Sequence, residues 1–385
     1  MTNEKNKTQV KPKDGATMKM QSSVGTFSST SFVLFVLAFF LVTYTWKWPG
    51  DVHLMRHWVL RNVDSNSALI SVFSEQYSMS QVVYWKTNIP TSSKLLKLEI
   101  EGENSEIKEM SRFENHTSSS CVIDHQNEHM CLIEIGNLES DTRYRYQIFF
   151  GKDEQDLQNQ IQDFMKDYDA SILMAPIYTE ENIFHSFETA PRSIFTAKGA
   201  HNVNKSLTSS LRFTFGSCIM TEPLFSLKVF DQWATLETQF AIVAGDVVYV
   251  DFPPWQPRDG RTYRRLLNDP YFQKLFHKIP LITQYDDHEF FNNYKDGLEA
   301  KVFKDGIYYF DKYVGNLVKS SLSQKEKGQF FEHYFHFDWA EYGFFMMDVR
   351  AYRSNETLIG RKQMEDLKKW LVNDTSHIWK FVSFK

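Results

Sequence analysis

The stretch IPLITQYDDHEFFNN, residues 279–293, decides the fold of this chain. Its first half is an apolar run able to form a buried strand, and it ends abruptly in Asp286, Asp287, His288 and Glu289. Acids crowded around one histidine are costly to keep ionised unless a cation or strong hydrogen-bond donors lie among them. The stretch therefore indicates a metal site at a strand end. The alternative is an acidic loop that caps the following helix.

Two upstream segments repeat this design, an apolar strand followed at once by groups suited to metals. LRFTFGSC ends at Cys218, and FAIVAGDVVY contains Asp246 and Tyr249. Gly216 and Gly245 precede the polar residues, where a missing side chain allows a sharp turn and close approach to a ligand. Three segments of the chain thus predict the same kind of strand end.

Apolar residues at helical spacing lie between these strands. Ser226 can cap a helix that carries Phe230 and Trp233, and a second helical stripe over residues 263–276 is interrupted by Pro270. Alternation of strand and helix predicts an α/β fold with a mainly parallel sheet, in which ligands gather at the carboxyl ends of the strands. Cys218, Asp246 and Asp287 are all expected at those ends.

The donor types indicate which metals such a site would take. A thiolate, a phenolate and a carboxylate together, from Cys218, Tyr249 and Asp246, favour a strongly Lewis-acidic ion such as ferric iron. The amide oxygen of Asn292 suits calcium better.

Five motifs in order resemble those of the alkaline phosphatase D (PhoD-like) metallophosphoesterases. They are GSC at 216–218, GDVVY at 245–249, YRRLLNDPYFQKLFHKIP at 263–280, DDHEFFNN at 286–293 and MDVRAYRS at 347–354. The resemblance covers roughly residues 60 to 385. It implies a metallophosphoesterase-like α/β sandwich over 211–385, preceded by an all-β sandwich.

The resemblance also implies the residues of the site. Cys218, Asp246, Tyr249 and Asn292 would bind a mixed cluster of ferric iron and calcium. Asp287 and His288 would belong to the same site, as a ligand, a proton donor or a neighbour of the ligands. Arg350, in MDVRAYRS, would contact a phosphate oxygen or serve as a structural ion-pair partner.

The function implied is metal-dependent hydrolysis of a small-molecule phosphoester, as a phosphatase or phosphodiesterase. In the family, further metal ligands follow beyond the position of Lys385, so we expect a carboxyl-terminally truncated domain whose final stretch HIWKFVSF forms a buried strand. Truncation leaves a catalytically degenerate cell-surface binding or adhesion protein as the alternative. A glycosidase that uses Asp287 and Glu289 is the weaker third hypothesis.

Residues 62–192 read as a fibronectin type III-like sandwich. Short alternating runs are separated by polar turns, and Tyr144 is placed to form a tyrosine corner. The charged stretch at 152–169 is interpreted as an exposed insertion, and residues 192–210 as a linker. Cys121 and Cys131 are predicted to form a disulfide, which would leave Cys218 for the metal.

The amino-terminal residues indicate attachment to a membrane. A lysine-rich tail at 1–31 precedes an apolar signal anchor at 32–46, with a cleaved signal peptide as the alternative. The catalytic part would then lie on the outer or lumenal face, and sequons such as Asn355 fit a glycoprotein. The net charge of −5, without a basic stripe, is not that of a nucleic-acid binder.

Overall fold

The computed structural model describes residues 56–87, 115–123, 129–167, 185–191, 211–220, 227–252, 257–294, 300–315 and 333–385. The predicted tail and anchor, the linker at 192–210 and Ser226 lie outside these residues. None of the helices in the described ranges is both long and apolar enough to cross a bilayer.

The amino-terminal part is a β-sandwich of two antiparallel sheets. The first sheet has the order β1-β2-β6, with β1 at His57–Val63, β2 at Ala68–Phe73 and β6 at Met130–Ile135. The second has the order β4-β3-β7-β8, with β3 at Met79–Lys86, β4 at Asn115–Thr117, β7 at Arg143–Gly151 and β8 at His185–Glu188; β5, Cys121–Val122, also pairs with β3. Alternate residues such as Ile70, Ile133 and Ile148 fill the space between the sheets, as the period-2 pattern predicts.

Tyr144 makes the contact expected of a tyrosine corner. Its hydroxyl accepts a hydrogen bond of 2.9 Å from the backbone N–H of Glu139. The side chain is buried, with its ring stacked on Phe187 of β8 at 5.7 Å. The hydroxyl therefore fixes the turn that enters β7.

The charged stretch after β7 is a helix, not the exposed insertion that we predicted. Helix α1, Glu154–Asp167, packs Leu157 and Ile161 against Trp85 and Phe149 of the second sheet. Leu157, Ile161 and Phe164 lie at i, i+4 and i+7, which is one narrow face of a helix. This narrow stripe covers the outer side of β3 and β7.

Cys121 and Cys131 are free thiols, so the predicted disulfide is absent from the structure. The two side chains nevertheless hydrogen-bond to each other, and the Cys121 thiol also donates to the Leu132 carbonyl at 3.4 Å. The prediction was correct about proximity and wrong about the covalent bond.

The carboxyl-terminal part contains the predicted parallel sheet. Its order is β11-β10-β9, with β9 at Phe213–Gly216, β10 at Phe240–Ala244 and β11 at Leu281–Gln284. Helices cover one face: α2 at Lys228–Thr235, α3 at Arg261–Asn268, α4 at Pro270–Phe276 and α5 at Lys301–Tyr313. Pro270 separates α3 from α4, where the Asp269 side chain accepts hydrogen bonds from Tyr271 and Phe272.

A second sheet covers the other face of the parallel sheet. It has the order β12-β13-β14, with β12 at Phe335–Trp339, β13 at Tyr342–Met346 and β14 at Trp379–Ser383, and α6, Gly360–Asn373, precedes β14. Phe240, Trp339 and Phe344 form the core between the two sheets. The result is a layered α/β sandwich with the polar strand ends at one edge.

Strand β14 forms where HIWKFVSF predicts one, but it is not buried. Trp379 is 58% exposed and Phe384 is 64% exposed. The strand pairs in parallel with β13, and Phe381 stacks on the buried Phe344 at 4.8 Å, whereas Trp379 and Phe384 face outward.

One buried arginine joins the β-sandwich to the α/β part. Arg61 of β1 is 1% exposed, and its guanidinium donates to the carbonyls of Asp311, Lys312 and Gly315 at the end of α5. Carbonyls at the carboxyl end of a helix carry partial negative charge, so a buried cation that caps them is favourable. At the same junction Tyr146 donates to the His277 carbonyl at 2.6 Å.

Candidate metal centre

Two turns at the ends of β9 and β10 form the base of the centre. The Cys218 N–H donates to the Gly245 carbonyl at 3.2 Å, and the Ile219 N–H donates to the Asp246 carbonyl at 2.7 Å. Cys218 and Asp246 both have left-handed backbone, with φ of 59° and 49°. Such strain in residues other than glycine is typical of functional sites.

Gly245 is required where the second turn passes β11. Its φ is +82°, and a Cβ atom here would lie 2.7 Å from the Cβ of Asp286. The glycine therefore lets the turn approach Asp286 closely, and close approach to a ligand stays a prediction. Gly216 has a different role, because its missing side chain makes room for the Trp233 ring of α2, 2.7 Å from an added Cβ.

Asp246, Asp287 and His288 converge at this edge. One potential ligand atom from each lies within 4.8 Å of those of the other two. The Cys218 thiol lies 3.5 Å from Asp246 Oδ2, and the Tyr249 hydroxyl hydrogen-bonds to Cys218. The structure thus brings together five of the predicted site residues.

The Tyr249 phenol is held protonated by its surroundings. Burial raises the pKa of Tyr249 most, and the hydrogen bond with Cys218 and the nearby carboxylate charge of Asp246 raise it further. A phenolate at this position needs a cation to offset these effects. The predicted ligand role of Tyr249 therefore depends on a strongly charged ion.

Arg350 binds the paired aspartates from the MDVRAYRS segment. Its guanidinium contacts both oxygens of Asp286, with Nη2 to Oδ2 at 2.9 Å, and reaches Asp287 Oδ1 at 3.1 Å. The side chain is buried and also donates to the Tyr294 carbonyl at 3.3 Å. Of the two alternatives for Arg350, the structural ion pair is the one observed; a contact with phosphate stays a prediction.

Of the two paired aspartates, Asp287 has the lower pKa. Burial opposes its charge, but hydrogen bonds from Asp286 and the Asn293 N–H, together with the charge of Arg350, lower the pKa of Asp287. The pKa of Asp286 is raised, mainly by burial. A negative charge therefore remains on the carboxylate nearer to Asp246.

Glu289 does not face the centre. It is fully buried, and its carboxylate accepts hydrogen bonds from the backbone N–H groups of Val247, Val248 and Asp286. Burial, and then the charge of Asp246, raises the pKa of Glu289 to about 8. Glu289 therefore connects the turn after β10 with the turn after β11, on the side that faces away from the centre. The glycosidase hypothesis, which paired Glu289 with Asp287, is wrong.

Asp251 is the residue of the centre that the sequence analysis missed. Its carboxylate lies 2.9 Å from His288 Nδ1 and accepts a hydrogen bond of 2.7 Å from the Asn292 N–H. The His288 ring stacks on Tyr249 with centroids 4.1 Å apart. Asp251 and Tyr249 therefore fix the orientation of the His288 ring. Its Nε2 remains available for proton transfer. The signal was available, since Asp251 lies two residues after Tyr249 in the same segment.

Lys385 reaches the same residues from the end of β14. Its ammonium donates to Cys218 Sγ at 3.0 Å and forms an ion pair with Asp246 Oδ2. A sequence pattern could not predict this contact, because it depends on where β14 ends relative to β10.

The donors present fit a cation. Two carboxylates, a thiol, a phenol and an imidazole face one another, and a buried carboxylate such as Asp246, 3% exposed, needs a positive partner. Asn292, the predicted calcium ligand, is exposed, and its backbone N–H binds Asp251. The side chains around Asp246 therefore fit a cation better than the position of Asn292 does.

Comparison with known proteins agrees with this geometry. The α/β sandwich with acids at its strand ends defines a metallophosphoesterase-like fold. Residues 213–384 match the family model described as PhoD-like phosphatase, and this part of the chain belongs to the PhoD-like phosphatase family. No curated protein matches the sequence.

One solved structure supports the same fold. The structure of PhoD matches with a TM-score of 0.56 and 15% identity, over 85% of this chain and 61% of that one. The chain thus spans about three fifths of that protein's length. A purple acid phosphatase, PPD1 from yellow lupin seeds, matches with a TM-score of 0.43 and 9% identity, over 86% of this chain and 50% of that one.

Proposed function

We propose that this chain is a metal-dependent phosphoester hydrolase. The observation that carries the proposal is the convergence of Asp246, Asp287 and His288 within 4.8 Å at the strand ends. Membership of the PhoD-like phosphatase family supports the phosphoester as the substrate class. The same residues are suited to metals and lie where ligands bind in parallel α/β sheets.

In this proposal Cys218, Tyr249 and Asp246 would hold a ferric ion, and Asp246, Asp287 and Asn292 would hold calcium. Metal ions bound here supply Lewis acidity toward the phosphoryl group and activate water for attack. The turns at Cys218 and Asp246 are joined by backbone hydrogen bonds, so the ligands are fixed before an ion binds. No covalent intermediate on the protein is required.

His288 is proposed to give a proton to the departing oxygen. Its Nδ1 is bound to Asp251 at 2.9 Å, and its ring stacks on Tyr249. Only Nε2 is then available for transfer, and a positioned acid of this kind contributes about 10²- to 10⁴-fold in rate. Arg350, by contrast, positions Asp287 through their contact of 3.1 Å.

The test is Asp246→Asn in the purified protein loaded with iron and calcium. We expect loss of bound metal and a fall in p-nitrophenyl phosphate turnover of about 10²-fold or more, the scale of losing a main electrostatic stabiliser. Asp231→Asn, which removes a surface ion pair with Lys274, is the matched control. Unchanged turnover in Asp246→Asn would show that the assignment is wrong.

Metal analysis of the native protein separates this function from the alternative. A folded protein that binds neither iron nor calcium would support the cell-surface binding or adhesion protein. Hydrolysis of bis-p-nitrophenyl phosphate, compared with the monoester, distinguishes a phosphodiesterase from a phosphatase. The signal anchor at 32–46 and an outer or lumenal location remain predictions.

A further inference from the structure

Lys385 is brought to the metal centre by the packing of β14. The Met347 N–H donates to the Ser383 carbonyl at 2.9 Å, and the Ser383 hydroxyl donates to Gln284 Oε1 at 2.7 Å. Gln284 is the last residue of β11. The end of β14 is thus bound to the strand that leads into the paired aspartates, and Lys385 follows two residues later.

The side chain of Lys385 is enclosed rather than extended into solvent. It is 25% exposed, and its Cδ would lie 3.1 Å from a Cβ atom added at Gly245. A glycine at 245 therefore makes room for the lysine stem as well as for Asp286. The aliphatic part of the Lys385 side chain passes over the turn at Gly245, and its ammonium reaches the side chains of Cys218 and Asp246.

The ammonium occupies the donors that a metal would need. Nζ binds Cys218 Sγ at 3.0 Å and Asp246 Oδ2, which are the proposed thiolate and bridging carboxylate. Without a cation, the buried Asp246 charge would be unpaired and costly. A metal ion and the ammonium cannot both lie between these two groups, because like charges at contact distance repel each other.

We infer that Lys385 is an internal cation that competes with the metal for Cys218 and Asp246. The inference rests on the proposed function, since it takes these two residues as ligands. Lys385 stabilises the metal-free centre and must be displaced when an ion binds. The affinity of the centre for metal is therefore set partly by this lysine, and the coupling is reciprocal.

Titration with Co²⁺ tests the inference, followed by the thiolate-to-cobalt absorption band. Lys385→Met removes the charge and keeps most of the stem, so we expect Co²⁺ to bind about tenfold more tightly and the metal-free protein to melt at a lower temperature. Lys385→Arg keeps the charge and should bind Co²⁺ as the native protein does. Lys380→Met is the control, because Lys380 contacts the carbonyls of Leu371 and Asp374 instead.

The outcomes separate the two proposals. Native protein that binds Co²⁺ while Lys385→Met binds it equally or more weakly overturns the competition and leaves the metal centre standing. No cobalt band in either protein means that the metal centre itself is wrong, and the inference fails with it. A band in Lys385→Met alone would be the strongest support.

Discussion

At the scale of single residues, the direction in which each side chain leaves its strand end determines whether it can reach a cation. Asp246, Asp287 and His288 converge because each follows a parallel strand. Glu289 was grouped with them, yet it lies behind the turns on backbone N–H groups. Its direction is set by the backbone of the turn, which has no period that a pattern could reveal. Asp251 was missed although it lies two residues after Tyr249 in the same segment.

Asp251 is expected to act on catalysis through His288. Asp251→Asn keeps the shape of the side chain but removes the charge next to His288 Nδ1, so we expect turnover to fall by about ten- to a hundredfold with metal content unchanged. The measurement is the pH dependence of kcat alongside metal analysis. Because a general acid must be protonated to act, the alkaline limb of the profile should move, whereas a merely structural role would leave the profile in place.

Asp259→Asn is the matched control for that variant. Asp259 pairs with Arg261 at 2.8 Å and contacts none of the proposed ligands in the described part of the chain. Equal losses in the two variants would contradict a specific role for Asp251.

At the scale of elements, strands were easier to predict than the narrow-faced helix. The parallel strands are almost wholly apolar, and β10 is buried at every position, so length and composition identify them. Helix α1 carries only Leu157, Ile161 and Phe164 on its packed face, and its charged composition concealed this stripe. Strand β14 was identified, but the sequence could not show that its apolar side chains are exposed, because exposure depends on neighbouring elements.

Helix α1 should contribute to stability in spite of its charge. Leu157 is fully buried against Val83 and Trp85, so Leu157→Ala should lower the free energy of unfolding by about 3 kcal/mol. Leu371→Ala on α6, where the side chain is 44% exposed, should cost much less. Urea unfolding measures both, and equal effects would show that α1 packs loosely.

At the scale of the whole molecule, a group of buried and partly buried histidines lies where the β-sandwich meets the α/β part. The His277 ring stacks on Trp58 at 4.0 Å, and the His185 ring meets the edge of both. His57 lies 2.7 Å from the Gln273 side chain of α4. The sequence predicted a β part and an α/β part. It could not predict this junction, because residues far apart in the chain form it.

Burial governs the charge of these histidines. It lowers the pKa of His57 to about 4, against a hydrogen bond with Asn268 that raises it. Burial also lowers the pKa of His185 to about 4, helped by the charge of Lys278. The pKa of His277 is lowered as well, first by burial and then by its histidine neighbours. All three are neutral in the folded protein near neutral pH.

We therefore expect acid to destabilise the protein below pH 6.5. Between about pH 6.5 and 4 the unfolded chain takes up protons that the folded junction excludes, so stability falls as pH falls, by up to about 1.4 kcal/mol per pH unit for each histidine. Above pH 6.5 these groups add no pH dependence. Urea unfolding at a series of pH values measures the slope.

One substitution should flatten that slope. His185→Phe keeps a ring against Trp58 and removes one titrating group, whereas His336→Gln changes an exposed residue of β12 and should leave the slope unaltered. A His185→Phe protein with the native slope would exclude this histidine as a source of the acid sensitivity.

The contact of Arg61 with the end of α5 has a consequence for how the chain comes apart. The Arg61 guanidinium is 1% exposed and donates to three carbonyls at the end of α5. Separation of the two parts would remove these hydrogen bonds, which is costly for a buried charge and for the carbonyls at the helix end. We therefore do not expect the two parts to melt at separate temperatures. Instead, we expect the β-sandwich and the α/β part to unfold in one transition, so a substitution that destabilises one part should lower the melting temperature of both.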